Sequence, residues 1–437
     1  QLRPAPAVGI GPGAGALLET RPSFAQVKGP AEFRGRPSPA YILEEAQLEE
    51  NGRILAGLME RTGCKGLLAQ KAFSNYKCYP LVGKYLAGTE ASGLFEARLG
   101  REEMPDREVH VFCAAYREAD FRELLQYADH IVFNSISQLK KFGRMGKKAG
   151  KSLGLRINPQ HSTQEGHAIY DPCAPGSRMG VTREVWDKDM TPELLELLDG
   201  LHFHTLCEQD SPDLASTLEA VEKGFGDVLP RMKWLNMGGG HHITRPGYDM
   251  ATLEGSISKA QSLWDVEVYL EPGEAVALNA GYLVSRVLDI VTNGDTKIAI
   301  LDASAACHMP DVIEMPYTPP LSQASEPGEL EHTYRLAGPT CLAGDVIGDY
   351  SFSEALREGD ILVFGDMAIY TTCKNNTFNG MPLPNIYRRR VDGELQQLTD
   401  FGYRDFIMRL SSSMYKSSLT EYPFRRPFFV FTILTLH

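Results

Sequence analysis

LHFHTLCEQDSPDLASTLEAVEKGFGDVLPRMKWLNMGGG, residues 201–240, carries one full turn of the pattern that decides the fold. Leu201–Leu206 reads as a strand, Leu214–Phe225 has apolar residues at helical spacing, and Trp234–Gly238 is a second strand ending in three glycines. Working outward, the same alternation precedes it in the strands Gly66–Lys71, Ala91–Leu94, Val109–Ala114, Ile131–Asn134 and Leu153–Asn158, and follows it in Glu267–Glu271. Phe121–Ala128, Pro192–Leu198 and Leu253–Trp264 supply intervening helices. Eight β/α units in a row imply an α/β fold built on a closed parallel (β/α)8 barrel, with a doubly wound sheet as the competing arrangement.

Before these units, Pro39–Leu43 reads as a short strand, and Ala46, Leu48, Ile54, Leu55 and Leu58 mark a helix that runs to Thr62 and Gly63. After Gly273 the texture changes to β-rich runs, Tyr282–Val291, Lys297–Asp302, Asp360–Phe364 and Ala368–Thr372, broken by Gly, Pro and Asn. The expected organisation is a disordered Gly/Pro/Ala-rich extension over residues 1–38, a barrel over 39–274, an all-β domain over 275–411 and an unassigned tail over 412–437.

The formal charge is −12, with 43% hydrophobic and 23% charged residues. That balance argues against a nucleic-acid backbone as partner, because such binding depends on clustered Lys and Arg, and it favours a cationic small substrate. Cysteines 64, 78, 113, 173, 207, 307, 341 and 373 are scattered without a C-x-x-C pair, which reads as reduced thiols in a cytoplasmic protein. No apolar run reaches the roughly 18 residues of a membrane span. Pro427–Leu436 is too short, and Ala5–Leu18 makes a poor signal peptide.

Catalytic groups of a parallel barrel sit where its strands end. The first strand ends in Lys71, which reaches water if exposed but forms a Schiff base if desolvation frees its amine. The sixth carries His202 and His204 on one face, a pattern that suits packing, ring stacking or a metal. The seventh ends in Gly238, Gly239 and Gly240, a tight turn or a cradle of backbone N–H groups for phosphate. The eighth ends in Glu271-Pro272-Gly273-Glu274, and in the β domain Cys341 lies in a glycine-flanked loop. Together a lysine, an imidazole, a glycine turn and a carboxylate meet the demands of pyridoxal phosphate: imine, ring cover, phosphate and ring nitrogen.

Several stretches carry a closer likeness: LLAQKAFS (67–74), GTEASGLFEARLG (88–100), FHTLCE (203–208), LNMGGGHHITRPGYD (235–249), YLEPGEAVAL (269–278), GPTCLAGD (338–345) and FGDMAIYT (364–371). From about Arg36 to Ser411 the chain resembles the fold-type III pyridoxal-phosphate decarboxylases, relatives of ornithine and diaminopimelate decarboxylases. Their alanine-racemase-like barrel precedes a β domain. Within that group it is most similar to the carboxynorspermidine/carboxyspermidine decarboxylases of polyamine biosynthesis. The resemblance implies that Lys71 bears the cofactor, His204 stacks on its ring, Gly238, Gly239 and Gly240 bind its phosphate, and Gly273 is a further cofactor-binding residue. It further implies that Glu271 pairs with the ring nitrogen and Arg156 lies at the site floor. Cys341 is expected from the other subunit of a homodimer, with Tyr370 reaching the phosphate from that same side, so that the active sites are shared.

Ornithine-type relatives have an arginine after EPG where this chain has Glu274. An anion there suits a positively charged polyamine arm, and Glu274 and Asp311, with Asp345, are the expected contacts of a carboxylated polyamine substrate. No metal is expected. The competing readings are a diaminopimelate- or arginine-type decarboxylase, a non-catalytic binding protein of the same fold, and a metal-dependent hydrolase using His202 and His204.

Overall fold

The first strand, β1 (Ala40–Glu44), is an apolar run, and the helix after it, Glu45–Thr62, buries Leu48, Leu55 and Leu58 along one face. Gly63 ends that helix in the left-handed region at φ 73°, where glycine avoids a Cβ clash. These features belong to a computed structural model that describes residues 30–165 and 170–411. Eight further strands alternate with helices: β2 (Lys65–Ala69), β3 (Gly88–Ala91), β4 (Glu108–Phe112), β5 (His130–Phe133), β6 (Ser152–Arg156), β7 (Gly200–His202), β8 (Trp234–Asn236) and β9 (Glu267–Leu270). Each lies parallel to the next, and β2 pairs with β9 to close the barrel.

The interior of the barrel is filled by side chains. Leu67, Val132, Trp234 and Tyr269 form a cluster there, and a Cβ on Gly154 or Gly200 would fall 2.3 or 2.0 Å from the Trp234 ring. The outer helices are set by local signals. Ser135 accepts a hydrogen bond from the Gln138 N–H at the start of Ile136–Lys148, and Asp210 and Asp213 form a reciprocal capping box at the start of Ser211–Phe225. The latter helix buries Leu214, Leu218, Val221 and Phe225 against the barrel.

The remaining strands are β10 (Gly281–Asn293), β11 (Thr296–Leu301), β12 (His332–Ala337), β13 (Val346–Phe352), β14 (Ile361–Phe364), β15 (Asn385–Arg389) and β16 (Leu395–Gln397). Their sheet runs β13-β12-β11-β10-β1-β15-β16, with β14 beside β10. β1 therefore belongs to this sheet, antiparallel to β10 and parallel to β15, and not to the barrel in which the sequence reading placed residues from 39 onward. The β domain is stitched from both ends of the chain.

Other expectations need correction. Residues 30–38 are not an extension: Pro30–Phe33 forms a short turn, Phe33 packs with Ile42, Tyr282 and Val284, and the Phe33 carbonyl accepts from Arg286 Nη2 at 3.2 Å. Residues 1–29 and the tail 412–437 lie outside the described residues. No strand forms at 368–372, because Asp366 and Tyr370 hold left-handed backbone, φ 52° and 51°, and bend the chain there. The second barrel strand, β3, ends at Ala91, where the sequence reading began it. No helix among the described residues is long and apolar enough to cross a membrane.

Candidate active site

Lys71 stands in the turn after β2. Gln70, fully buried, fixes that turn: its Nε2 donates to the Glu96 carbonyl at 2.8 Å, its Oε1 accepts from Tyr79 Oη at 2.8 Å, and its N–H reaches the Glu90 carbonyl at 3.1 Å. Contrary to the desolvation that the sequence reading attached to a Schiff-base lysine, Lys71 itself is exposed at the barrel mouth, and its charge acts on Glu90, Glu96, His202, His204 and Glu271. Gly273 backs onto the same turn, where a Cβ would lie 2.9 Å from that of Ala72.

Glu271, at the end of β9, is 6% exposed and accepts from His202 Nε2 at 2.5 Å. Burial alone would raise its carboxyl, but His202 and then Lys71 hold it below the ordinary carboxylate range. Glu90, at the end of β3, goes the other way: burial first, then the neighbouring Glu271 charge, pushes it well above. The two carboxyls, each within reach of the other's charge, are thus shifted in opposite directions. Burial lowers His202 as well, and its ring lies parallel to Phe112 with centroids 5.5 Å apart.

His204 follows β7. Its Nδ1 accepts from the Gly239 N–H at 3.0 Å, and burial, then the charges of Lys71 and Arg156, keep the imidazole well below its ordinary pKa and so neutral. Arg156, at the end of β6, donates to the His204 carbonyl at 2.9 Å and lies 4.7 Å from the centre of the Phe112 ring. Burial brings it down to about 10, so it remains a cation.

The glycine turn differs from a bare cradle. The Gly238 N–H donates to Asn236 Oδ1 at 2.9 Å and the Gly239 N–H to His204, which leaves the Gly240 N–H unengaged among the described residues. No helix opens at Gly240, since Met250–Trp264 begins later. The glycines instead permit three loops to touch: Cβ atoms would fall 2.5 Å from the Phe203 carbonyl oxygen at Gly238, 2.1 Å from that of Glu271 at Gly239 and 1.9 Å from that of Leu206 at Gly240.

On the rim, Glu274 Oε2 meets His242 Nε2 at 2.5 Å, and Glu208 lies close to both. Asp311 pairs with Lys374, and burial raises its carboxyl, with the Glu274 charge adding to the rise. Tyr370 completes the rim. Its N–H donates to the Ala72 carbonyl at 2.9 Å, and its hydroxyl is raised by burial, Glu274, Cys207 and Asp311. Tyr370 therefore joins the site of its own chain, contrary to the expectation that it reaches across from a second subunit.

Two further sequence-derived residues behave differently from the rest. Asp345 is 3% exposed and accepts from Ser304 Oγ at 2.9 and 3.0 Å, Thr340 Oγ1 at 2.7 Å and the Ala306 N–H at 3.1 Å. It braces the loop after β12 and is not open to a substrate. Cys341, on that loop, is exposed, and its N–H donates to Asn379 Oδ1 at 2.6 Å. None of the groups that shift Glu271, His204 or Tyr370 includes it. His202 and His204 turn to different partners, Glu271 and the Gly239 N–H. Sequence reasoning passed over Glu90, Glu208 and His242, although GTEAS, FHTLCE and GGGHH had all been quoted.

The donor set fits pyridoxal phosphate. An ionised buried carboxylate with one oxygen engaged by His202, a neutral imidazole and an exposed lysine amine are what its ring nitrogen, ring face and aldehyde require.

Residues 44–368 match the family described as "Pyridoxal-dependent decarboxylase, C-terminal sheet domain". A Campylobacter jejuni protein, carboxynorspermidine/carboxyspermidine decarboxylase, is 43% identical over 85% of this chain and 98% of its own. A Synechocystis carboxyaminopropylagmatine decarboxylase is 40% identical over 86% of this chain and 95% of its own. Among solved structures, carboxynorspermidine decarboxylase from Campylobacter jejuni, complexed with norspermidine, superposes with a TM-score of 0.77 at 42% identity, covering 85% of this chain and 99% of that one.

Proposed function

The chain belongs to the pyridoxal-dependent decarboxylases, and from that premise we propose that it decarboxylates carboxynorspermidine and carboxyspermidine to norspermidine and spermidine. The observation that carries this reading is the meeting, at one barrel mouth, of Lys71 and ionised Glu271 with an acidic rim, Glu208, Glu274 and Asp311. The inner group handles the amino-acid end of the substrate. The rim matches the cationic arm.

Lys71 is the residue that would hold pyridoxal phosphate covalently, and that group would supply a ring able to accept the electron pair released with CO2. Glu271, with Oε1 engaged by His202, would hold a proton on the ring nitrogen. His202 keeps that carboxylate oriented and charged. Neutral His204 would cover the ring face without adding a competing charge, and Arg156 fixes the His204 backbone through its carbonyl. Gly240, whose N–H is unengaged among the described residues, and Tyr370 would border the phosphate. Once displaced by the substrate amine, the Lys71 amine would be free to take up a proton, and its return to the cofactor would release the product.

We assign Cys341, exposed on the loop after β12, to the site of a second copy in a cytoplasmic homodimer with shared sites, where its thiol would supply the proton for the α-carbon. Glu274 and Asp311 take the ammonium groups of the substrate. The test is product identification after incubation with pyridoxal phosphate and carboxynorspermidine. Norspermidine should form with the native chain, and Glu274→Gln should raise KM by about tenfold with kcat nearly kept, a loss on the scale of one charge-assisted contact. An unchanged KM would remove Glu274 from the substrate site.

A further inference from the structure

We infer that His242 is a positioning residue of the substrate-cation subsite, holding the Glu274 carboxylate in place and setting, with Glu208, the net charge that receives the polyamine arm. This rests on the polyamine reading above and adds to it a residue and a pH dependence.

The geometry comes first. His242 Nε2 and Glu274 Oε2 are 2.5 Å apart, and both side chains are largely shielded, at 14% and 18% exposure. Glu208, His242 and Glu274 each present a polar atom within 4.8 Å of the others. They come from three separate places in the chain, the loop after β7, the glycine turn after β8 and the segment after β9, so the fold alone assembles them. Two carboxylates at this separation repel one another. An imidazolium between them neutralises one and fixes the orientation of the other.

The charged and titratable groups facing His242 are Glu274, Glu208 and Asp366, with His241 beside it in the chain. Burial alone would lower the His242 pKa, but Glu274, Glu208 and Asp366 reverse this and raise it. Beyond them Glu274 also faces Asp311, which is paired with Lys374. When His242 is protonated, the three-residue cluster carries one net negative charge. After it loses the proton the cluster carries two. A cationic arm is therefore held more tightly on the alkaline side of the His242 titration, and entry of an ammonium group favours release of that proton.

The test is calorimetric binding of norspermidine to the cofactor-loaded protein from pH ~6 to ~8.5, a window bracketing the upward-shifted imidazole, comparing the native chain with His242→Gln. The ratio of the two dissociation constants cancels titration of the ligand amines. It is expected to fall about three- to tenfold across the window, the effect of one charge at a partly screened distance. A purely structural role for His242 would change affinity by the same factor at every pH, and a flat ratio overturns the inference. Glu208→Gln, at an exposed position, keeps the inference open to refutation if His242→Gln does not fold. With one carboxylate removed, the pH step in affinity should move to lower pH, and an unmoved step again overturns it. Failure of the native chain to bind norspermidine at any pH would instead overturn the substrate reading itself.

Discussion

Glu271 and Glu90 are two carboxyl groups within reach of one another's charge that are shifted in opposite directions, the first lowered by His202 and Lys71, the second raised by burial and by Glu271. Their separation is what allows one to hold a proton on a cofactor nitrogen while the other adds no charge. Glu271→Gln, which removes the charge but keeps the shape, should lower kcat about 10²- to 10³-fold, the range found for loss of one preorganised electrostatic partner. Steady-state kinetics at saturating cofactor checks this, and a kcat within twofold of native would exclude the role. Lys71→Ala should abolish the visible absorbance of the bound cofactor. Lys71, His204 and Glu271 were legible in the sequence because each sits at or just past a strand end, where a parallel barrel gathers its chemistry. The His202–Glu271 and His242–Glu274 pairs were not. Each joins residues far apart in sequence, and only closure of the barrel brings them together.

The elements that hold these residues are short strands joined by tightly packed loops. Gly239→Ala is the sharpest probe at this scale, because its Cβ would fall 2.1 Å from the Glu271 carbonyl oxygen. Separating the two loops should cost about 1–3 kcal/mol and displace both Glu271 and His204. Thermal unfolding and cofactor affinity should drop together, and an unaffected affinity would contradict the packing role. The barrel units were readable from periodicity, since Leu214, Leu218, Val221 and Phe225 share one helical face. β3 was misplaced because Gly88, Thr89 and Glu90 lack the apolar signature of a strand, yet their position inside the closed barrel buries them. The bend at Asp366 and Tyr370 escaped notice because left-handed backbone at a non-glycine residue leaves no mark in composition.

For the whole molecule, the β domain depends on both ends of the described chain, since β1 lies between β10 and β15. A strand's partner is set by long-range packing, which is why the sequence placed β1 with the nearer barrel. Buried histidines add a global pH dependence. Burial depresses His130 to about 3 and His241 and His308 to about 4, below the ordinary value near 6.5 that they regain on unfolding. The unfolded chain then binds more protons, so their contribution is present above pH ~6.5 and is lost as pH falls toward the folded values. The melting temperature should be lower at pH ~5 than at ~7.5, and equal values would contradict this. If the sites are shared, mixing inactive Lys71→Ala and Cys341→Ala chains should restore about a quarter of native activity through heterodimers with one intact site.

The central claim, decarboxylation of a carboxylated polyamine, is tested most directly by CO2 release with pyridoxal phosphate from carboxynorspermidine, carboxyspermidine, carboxyaminopropylagmatine, diaminopimelate, arginine and ornithine. The acidic rim predicts that kcat/KM for carboxynorspermidine or carboxyspermidine exceeds that for diaminopimelate, arginine or ornithine by about 10²-fold or more, the worth of two lost charged contacts. Equal or greater turnover of diaminopimelate, arginine or ornithine would contradict the account while leaving the fold and cofactor chemistry in place.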